Sequence, residues 1–200
     1  MTRRRVSVDE RREQRAAVDD PAIVLGAAAR FLEARSRSVA EVRRRLTTAG
    51  YRQDLVEDAI ARLTELGMLD DEAFARAWVE SRDRAKPRGE RALRSELALK
   101  GVDRDIVDET LTDRGGDDAA SVDRAAAERL LAKNARSLDR IADPRARRQR
   151  AYALLARNGF TPDVCSSASA GLIRSGSGGP DGPVADTATP DADLDPDGEA

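Results

Sequence analysis

Three stretches of this chain repeat one spacing of apolar residues around a glycine, and that recurrence constrains the fold more than any other feature. The first contains Val42, Leu46, Gly50, Tyr51, Leu55 and Val56. A shift of 51 residues lands on Leu93, Leu97, Gly101, Val102, Ile106 and Val107, and a shift of 109 lands on Ala151, Leu155, Gly159, Phe160, Val164 and Cys165. Six matching positions, found three times without a gap, define an internal repeat. Its first two apolar residues are four apart and share one helix face. The glycine follows where a left-handed residue ends a helix at low cost, and the next apolar residue folds back on the last turn. Each unit therefore reads as helix, glycine turn, helix. Asp103 and Thr161 stand at equivalent N-cap positions, and Pro162 suits the first position of a helix. The corresponding residue of the first unit, Arg52, is a poorer cap.

A further helix precedes each pair, over residues 21–35, 71–84 and 121–134. Asp20 and Asp70 are placed to cap the first two, and Ser38 with Glu41 makes a capping-box match for the next helix. The pattern predicts an all-α fold, three tandem three-helix repeats forming an elongated, slightly curved molecule in which neighbouring units bury their faces on one another. Residues 1–19 read as a charged disordered arm, 20–66 as repeat 1, 67–114 as repeat 2 and 115–168 as repeat 3. The last helix of repeat 3 is expected to be weak, because Ser166-Ser167-Ala168-Ser169-Ala170-Gly171 offers little apolar spacing. Residues 169–200, rich in Gly, Pro, Ser and Asp, read as a disordered acidic tail. The aromatic residues Tyr51, Phe74, Trp78, Tyr152 and Phe160 all fall at core-like spacings.

Charge and composition narrow the function. Charged residues are 36% of the chain and aromatics 3%, a balance that suits narrow apolar helix stripes. The net charge of −2 hides a division: residues 21–165 carry 28 basic and 25 acidic groups, whereas 166–200 carry 1 and 7. A mildly basic body joined to an acidic tail suggests a polyanionic partner. The absence of histidine and the single cysteine, Cys165, rule out an intrachain disulfide, a Cys-rich zinc site and histidine acid–base chemistry. Cys165 reads as a small buried hydrophobe. With no apolar leader and no stretch able to span a bilayer, the expected compartment is the cytoplasm, and no catalytic centre or cofactor is expected.

Binding then rests on the basic residues. Arg37 aligns with Arg88, Arg43 with Arg94 and Arg35 with Lys86 under the same 51-residue shift, and Arg91 and Lys100 lie in the same helix region. Stacked units would line these cations into a stripe able to meet a polyanion or an acidic protein surface.

The residues also resemble a known family. The run Leu69-Asp70-Asp71-Glu72-Ala73-Phe74-Ala75-Arg76-Ala77-Trp78-Val79, followed by Arg82, Lys86-Pro87-Arg88-Gly89 and Leu93-x-x-Glu96-Leu97-x-x-Lys100-Gly101-Val102, is similar to the middle segment of the RecX family. Ser38-x-x-Glu41-Val42-x-x-x-Leu46-x-x-x-Gly50-Tyr51 before it and Tyr152-x-x-Leu155-x-x-x-Gly159-Phe160 after it extend the likeness over about residues 22–165. The resemblance implies a cofactor-free regulator, mainly an inhibitor, of the RecA recombinase. Such a protein binds the RecA–DNA filament as a monomer and modulates ATP turnover, strand exchange and co-protease activity. The contact surface is expected at Lys86, Arg88, Arg91, Arg94 and Lys100, extended by Arg37 and Arg43. The alternative from another class is a nucleic-acid-binding module that needs no RecA, recognisable by tight binding to bare single- or double-stranded DNA at ~150 mM salt.

Overall fold

The computed structural model describes residues 7–176, and every regular element among them is helical. The helices are α1 (Val8–Ala16), α2 (Pro21–Glu33), α3 (Val39–Ala49), α4 (Gln53–Glu65), α5 (Asp71–Ala85), α6 (Glu90–Leu99) and α7 (Arg104–Gly115). A 3-10 turn at Gly116–Asp118 leads to α8 (Ala119–Lys133), the short α9 (Ala135–Asp139), α10 (Pro144–Arg157) and α11 (Pro162–Gly176). Helices α2–α4 form the first unit, α5–α7 the second, and α8, α10 and α11 the third.

The glycine turns behave alike. Gly50, Gly101 and Gly159 have φ of +102°, +74° and +84°. In each case the next N–H reaches back to the helix: Tyr51 to the Leu46 carbonyl at 3.3 Å, Val102 to Leu97 at 3.2 Å and Phe160 to Leu155 at 3.4 Å. These are the six-to-one bonds of a helix end closed by a left-handed residue. The caps follow chemistry as well. Asp103 accepts from the Asp105 N–H and Thr161 faces the Val164 N–H, while Arg52 makes no side-chain cap. Ser38 and Glu41 complete a capping box.

Each unit holds its own core. Val24, Val42, Leu46, Val56 and Leu63 fill the first, Phe74, Val79, Leu93, Leu97 and Val107 the second, and Leu131, Leu155, Phe160 and Cys165 the third. Full burial of each large apolar side chain contributes about 1.5–3 kcal/mol. Leu69, expected in the second unit, packs instead into the core of the first.

Several expectations are corrected. The N-terminal arm is not wholly disordered: Val8–Ala16 is a helix, begun by a Ser7/Glu10 capping box and docked on the first unit. The last helix is fifteen residues long rather than weak. Its stripe is completed by small residues, since Ala168 and Ser169 are buried one turn beyond Val164 and Cys165. Ser169 is accommodated there because its hydroxyl bonds the Ser166 carbonyl at 3.3 Å. Residues 169–176, assigned to the acidic tail, belong to α11, and the rest of that tail, 177–200, lies outside the described residues, as do residues 1–6 of the arm. Tyr152 is 38% exposed, the buried position beside it being taken by Ala151. No helix among the described residues is long and apolar enough to cross a membrane.

Candidate interaction surface

The units meet at two joints built from equivalent positions. At the first, the Ser38 hydroxyl donates to the Lys100 carbonyl at 2.6 Å, and Lys100 Nζ pairs with Glu41 Oε1 at 2.7 Å. The Val39 N–H donates to Asp71 Oδ1 at 2.9 Å, so the start of α5 holds the start of α3. At the second, the Gly89 N–H donates to the Asn158 carbonyl at 3.0 Å, Arg88 bonds the Asn158 side chain, and the Glu90 N–H donates to Asp123 Oδ2 at 3.1 Å. Gly89 and Glu90 are the repeat equivalents of Ser38 and Val39, and Asn158 is that of Lys100. Both joints need a bare glycine. A Cβ on Gly101 would lie 2.4 Å from Ala40 Cβ, and one on Gly159 would lie 2.4 Å from Ala92.

Helix α1 takes the same place against the first unit. Arg15 Nη1 donates at 3.2 Å to the carbonyl of Ala49, the equivalent of Lys100, and a Cβ on Gly50 would lie 2.9 Å from the Arg12 carbonyl oxygen. Ser7 and Glu10 repeat the capping box of Ser38 and Glu41. α1 thus covers the end of α3 that corresponds to the ends of α6 and α10 used by the two joints, and does so with Arg12 and Arg15.

Polar contacts lock these joints. Arg114, only 8% exposed, pairs with Asp83 at 2.9 Å and Asp123 at 2.7 Å. Burial opposes its charge, but the two carboxylates outweigh burial and raise its pKa. Burial likewise opposes the charge of Glu41. The hydrogen bond and charge of Lys100, with the Ser38 N–H and Arg35, prevail and hold its carboxyl below the ordinary value. At Asp71 burial wins and raises the carboxyl above its ordinary value, the Val39 N–H pulling the other way.

The seven expected contact residues divide sharply. Arg43 forms a two-pronged pair with Glu57 at 2.8 Å, and Arg94 forms the equivalent pair with Asp108 while also meeting Glu90 at 2.8 Å. Their recurrence therefore marks an ion pair between the second and third helices of a unit. Arg37 lies over the Phe31 ring at 4.3 Å. Arg88 Nε stands 3.2 Å from Glu96 Oε1, whose other oxygen accepts from Trp78 Nε1 at 2.9 Å and Arg82 Nε at 2.6 Å. Lys100 is held by Glu41 and lies 4.9 Å above the Trp78 ring. Lys86 and Arg91 alone of the seven are exposed with no side-chain partner among the described residues.

The three-unit frame decides the relationship to known proteins. Domain models of the RecX family match the chain three times: the first three-helix domain over residues 25–63, the second over 70–111 and the third over 122–168. The chain belongs to the RecX family. Regulatory protein RecX of Mycolicibacterium vanbaalenii is 38% identical over 137 residues, which are 66% of this chain and 72% of that one. Its counterpart in Mycobacterium ulcerans is 38% identical over 135 residues, 68% of this chain and 76% of the other. The crystal structure of RecX from Lactobacillus salivarius covers 78% of this chain and 98% of its own, with a TM-score of 0.66 at 20% identity. A second RecX crystal structure gives 0.63 at 21% identity over 75% of this chain and 71% of its own. These two likenesses speak to the fold alone. Helix α1 precedes the first RecX domain match, and the Ser7-x-x-Glu10 spacing is the sequence signal by which it could have been found.

Proposed function

We propose that this RecX-family chain regulates a RecA recombinase, mainly by inhibition, by binding the RecA–DNA filament and modulating its ATPase, strand-exchange and co-protease activities. The observation that carries this reading is the set of three RecX domains in order, each tied to the next through equivalent positions. A row of like units is a form suited to a periodic partner. Lys86 and Arg91 supply cations free to meet phosphates or acidic side chains through charge-assisted hydrogen bonds. Arg37, Arg43, Arg88, Arg94 and Lys100 act mainly by holding the units that present them. The reading calls for no catalytic centre and no cofactor, and places the protein in the cytoplasm with the filament.

The test is ATP hydrolysis by RecA of the same organism on single-stranded DNA, with this protein titrated at substoichiometric ratios. Suppression well below one molecule per RecA is expected. ATP turnover unaffected at equimolar protein would sink the reading.

A further inference from the structure

A groove between α1 and the first unit collects cations, most of them unused by the joints. Arg15 of α1, Arg30 of α2 and Arg45 of α3 line a cavity of about 300 Å³ together with Phe31 and Tyr51. A second cavity of about 290 Å³ adjoins it, sharing Phe31 and Arg45 and adding Arg44 and Thr48. Arg30, Arg44 and Arg45 are exposed and have no carboxylate partner among the described residues. Arg15 spends its one hydrogen bond on a carbonyl, that of Ala49. The sole carboxylate lining either cavity, Glu41, is engaged by Lys100 at 2.7 Å and Arg35 at 3.7 Å. The floor is aromatic and aliphatic, from Phe31, Tyr51, Ala27 and Leu46. Guanidinium groups already stand over these rings: Arg45 at 5.6 Å and Arg37 at 4.3 Å from Phe31, and Arg15 at 5.7 Å from Tyr51.

We infer that this groove binds single-stranded nucleic acid, its arginines meeting successive phosphates and its ring and guanidinium planes receiving bases. Unpaired guanidiniums beside planar surfaces are the pairing that single strands use, phosphate on one and base on the other. Two adjoining cavities sharing Arg45 suit a chain rather than one small anion. A concave groove of this size admits splayed nucleotides and excludes a duplex, whose phosphates lie on a convex rod. An acidic peptide would satisfy the cations and leave the planar floor without a partner. The inference deepens the proposed function by naming a contact for the DNA of a filament, and it is tested with no recombinase present, so the two can fail separately.

The experiment is fluorescence anisotropy of labelled oligothymidylate with the full chain, as a function of salt. Arg30→Ala with Arg45→Ala should weaken binding at least tenfold, and the log–log salt slope should become shallower by about 0.7 for each phosphate contact removed. Arg62→Ala with Arg76→Ala removes two exposed cations elsewhere and should change neither quantity comparably, with far-ultraviolet helicity unchanged in both double variants. An equal loss in that control, or no loss in the first pair, overturns the site. Displacement of the strand by inorganic phosphate or thymidine monophosphate at equal phosphate concentration would show a single-anion pocket instead. Displacement by polyglutamate at matched charge would show a peptide groove, and either result overturns the inference.

Discussion

Lys100 reaches back 59 residues to Glu41, closing a 2.7 Å pair across the boundary of the first and second units. The same lysine offers its backbone carbonyl to Ser38. The residue before the left-handed glycine thus makes the joint twice, once by charge and once by backbone. The glycine is what allows the backbones so close.

Substitution of that glycine separates conformational strain from crowding. Gly67 has φ of +66° and nothing within 4 Å of the position a methyl group would take, whereas Gly101 has φ of +74° and Ala40 Cβ at 2.4 Å. Gly67→Ala should cost only the left-handed penalty, about 1–2 kcal/mol. Gly101→Ala should add an overpacking cost of about 1–3 kcal/mol. Urea unfolding of the two variants checks this, and equal losses would mean that the joint yields without resistance.

Arg114 is the buried cation shared by α5, α7 and α8. Arg114→Met leaves Asp83 and Asp123 facing each other without their counter-charge, and a loss of about 3–5 kcal/mol is expected. Because Asp123 also accepts from the Glu90 N–H, hydrogen exchange should show faster opening at the start of α6. A variant as stable as the parent would show that water can replace the guanidinium.

The carboxylates of the first joint respond oppositely to acid. Glu41 has a lowered pKa, so its contribution is present above the unfolded value and is lost as pH falls through the folded value. Asp71 has a raised pKa, so its contribution is full below the unfolded value and is lost as pH rises through the folded one. Asp71→Asn keeps an oxygen for the Val39 N–H and removes the charge. It should match or exceed parental stability at pH 7, and its advantage should shrink as pH falls toward the ordinary carboxylate range. Unfolding midpoints at pH 7 and pH 5 measure the difference, and an advantage that grows in acid would contradict it.

Lys86→Glu with Arg91→Glu tests the exposed contact. The double variant should need at least about tenfold more protein for half-maximal inhibition of RecA ATP turnover, with unchanged helicity. Arg43→Gln, which only releases Glu57 at a surface pair worth about 0–1 kcal/mol, should inhibit almost normally. Equal potency of the double variant and the parent would move the contact away from these two residues.

The repeat, its glycine turns and its caps were legible because they are local: Leu46, Gly50 and Tyr51 lie within two turns of each other, and the same triplet of roles recurs. Cys165 was readable as a buried group for the same reason, and burial does raise its pKa. What recurrence did not reveal was purpose. Arg43 and Arg94 recur because Glu57 and Asp108 recur with them, and a spacing of fourteen residues gives no sign that the pair closes across a glycine turn. α11 was underestimated because Ala168 and Ser169 are small, so hydrophobic spacing undervalued a stripe whose task is close approach. α1 escaped because its short charged sequence buries no residue of its own. Its place depends on the Ala49 carbonyl and on Gly50, partners more than thirty residues away.

The joints also free chain length from geometry. Between α8 and α10 the third unit carries α9, with Leu138 tucked into its core, where the other units have only short connections. The second joint nevertheless uses the same backbone positions as the first. A connection can lengthen while the joint keeps its positions. The positions that make the joint are kept, and the loops are left to vary.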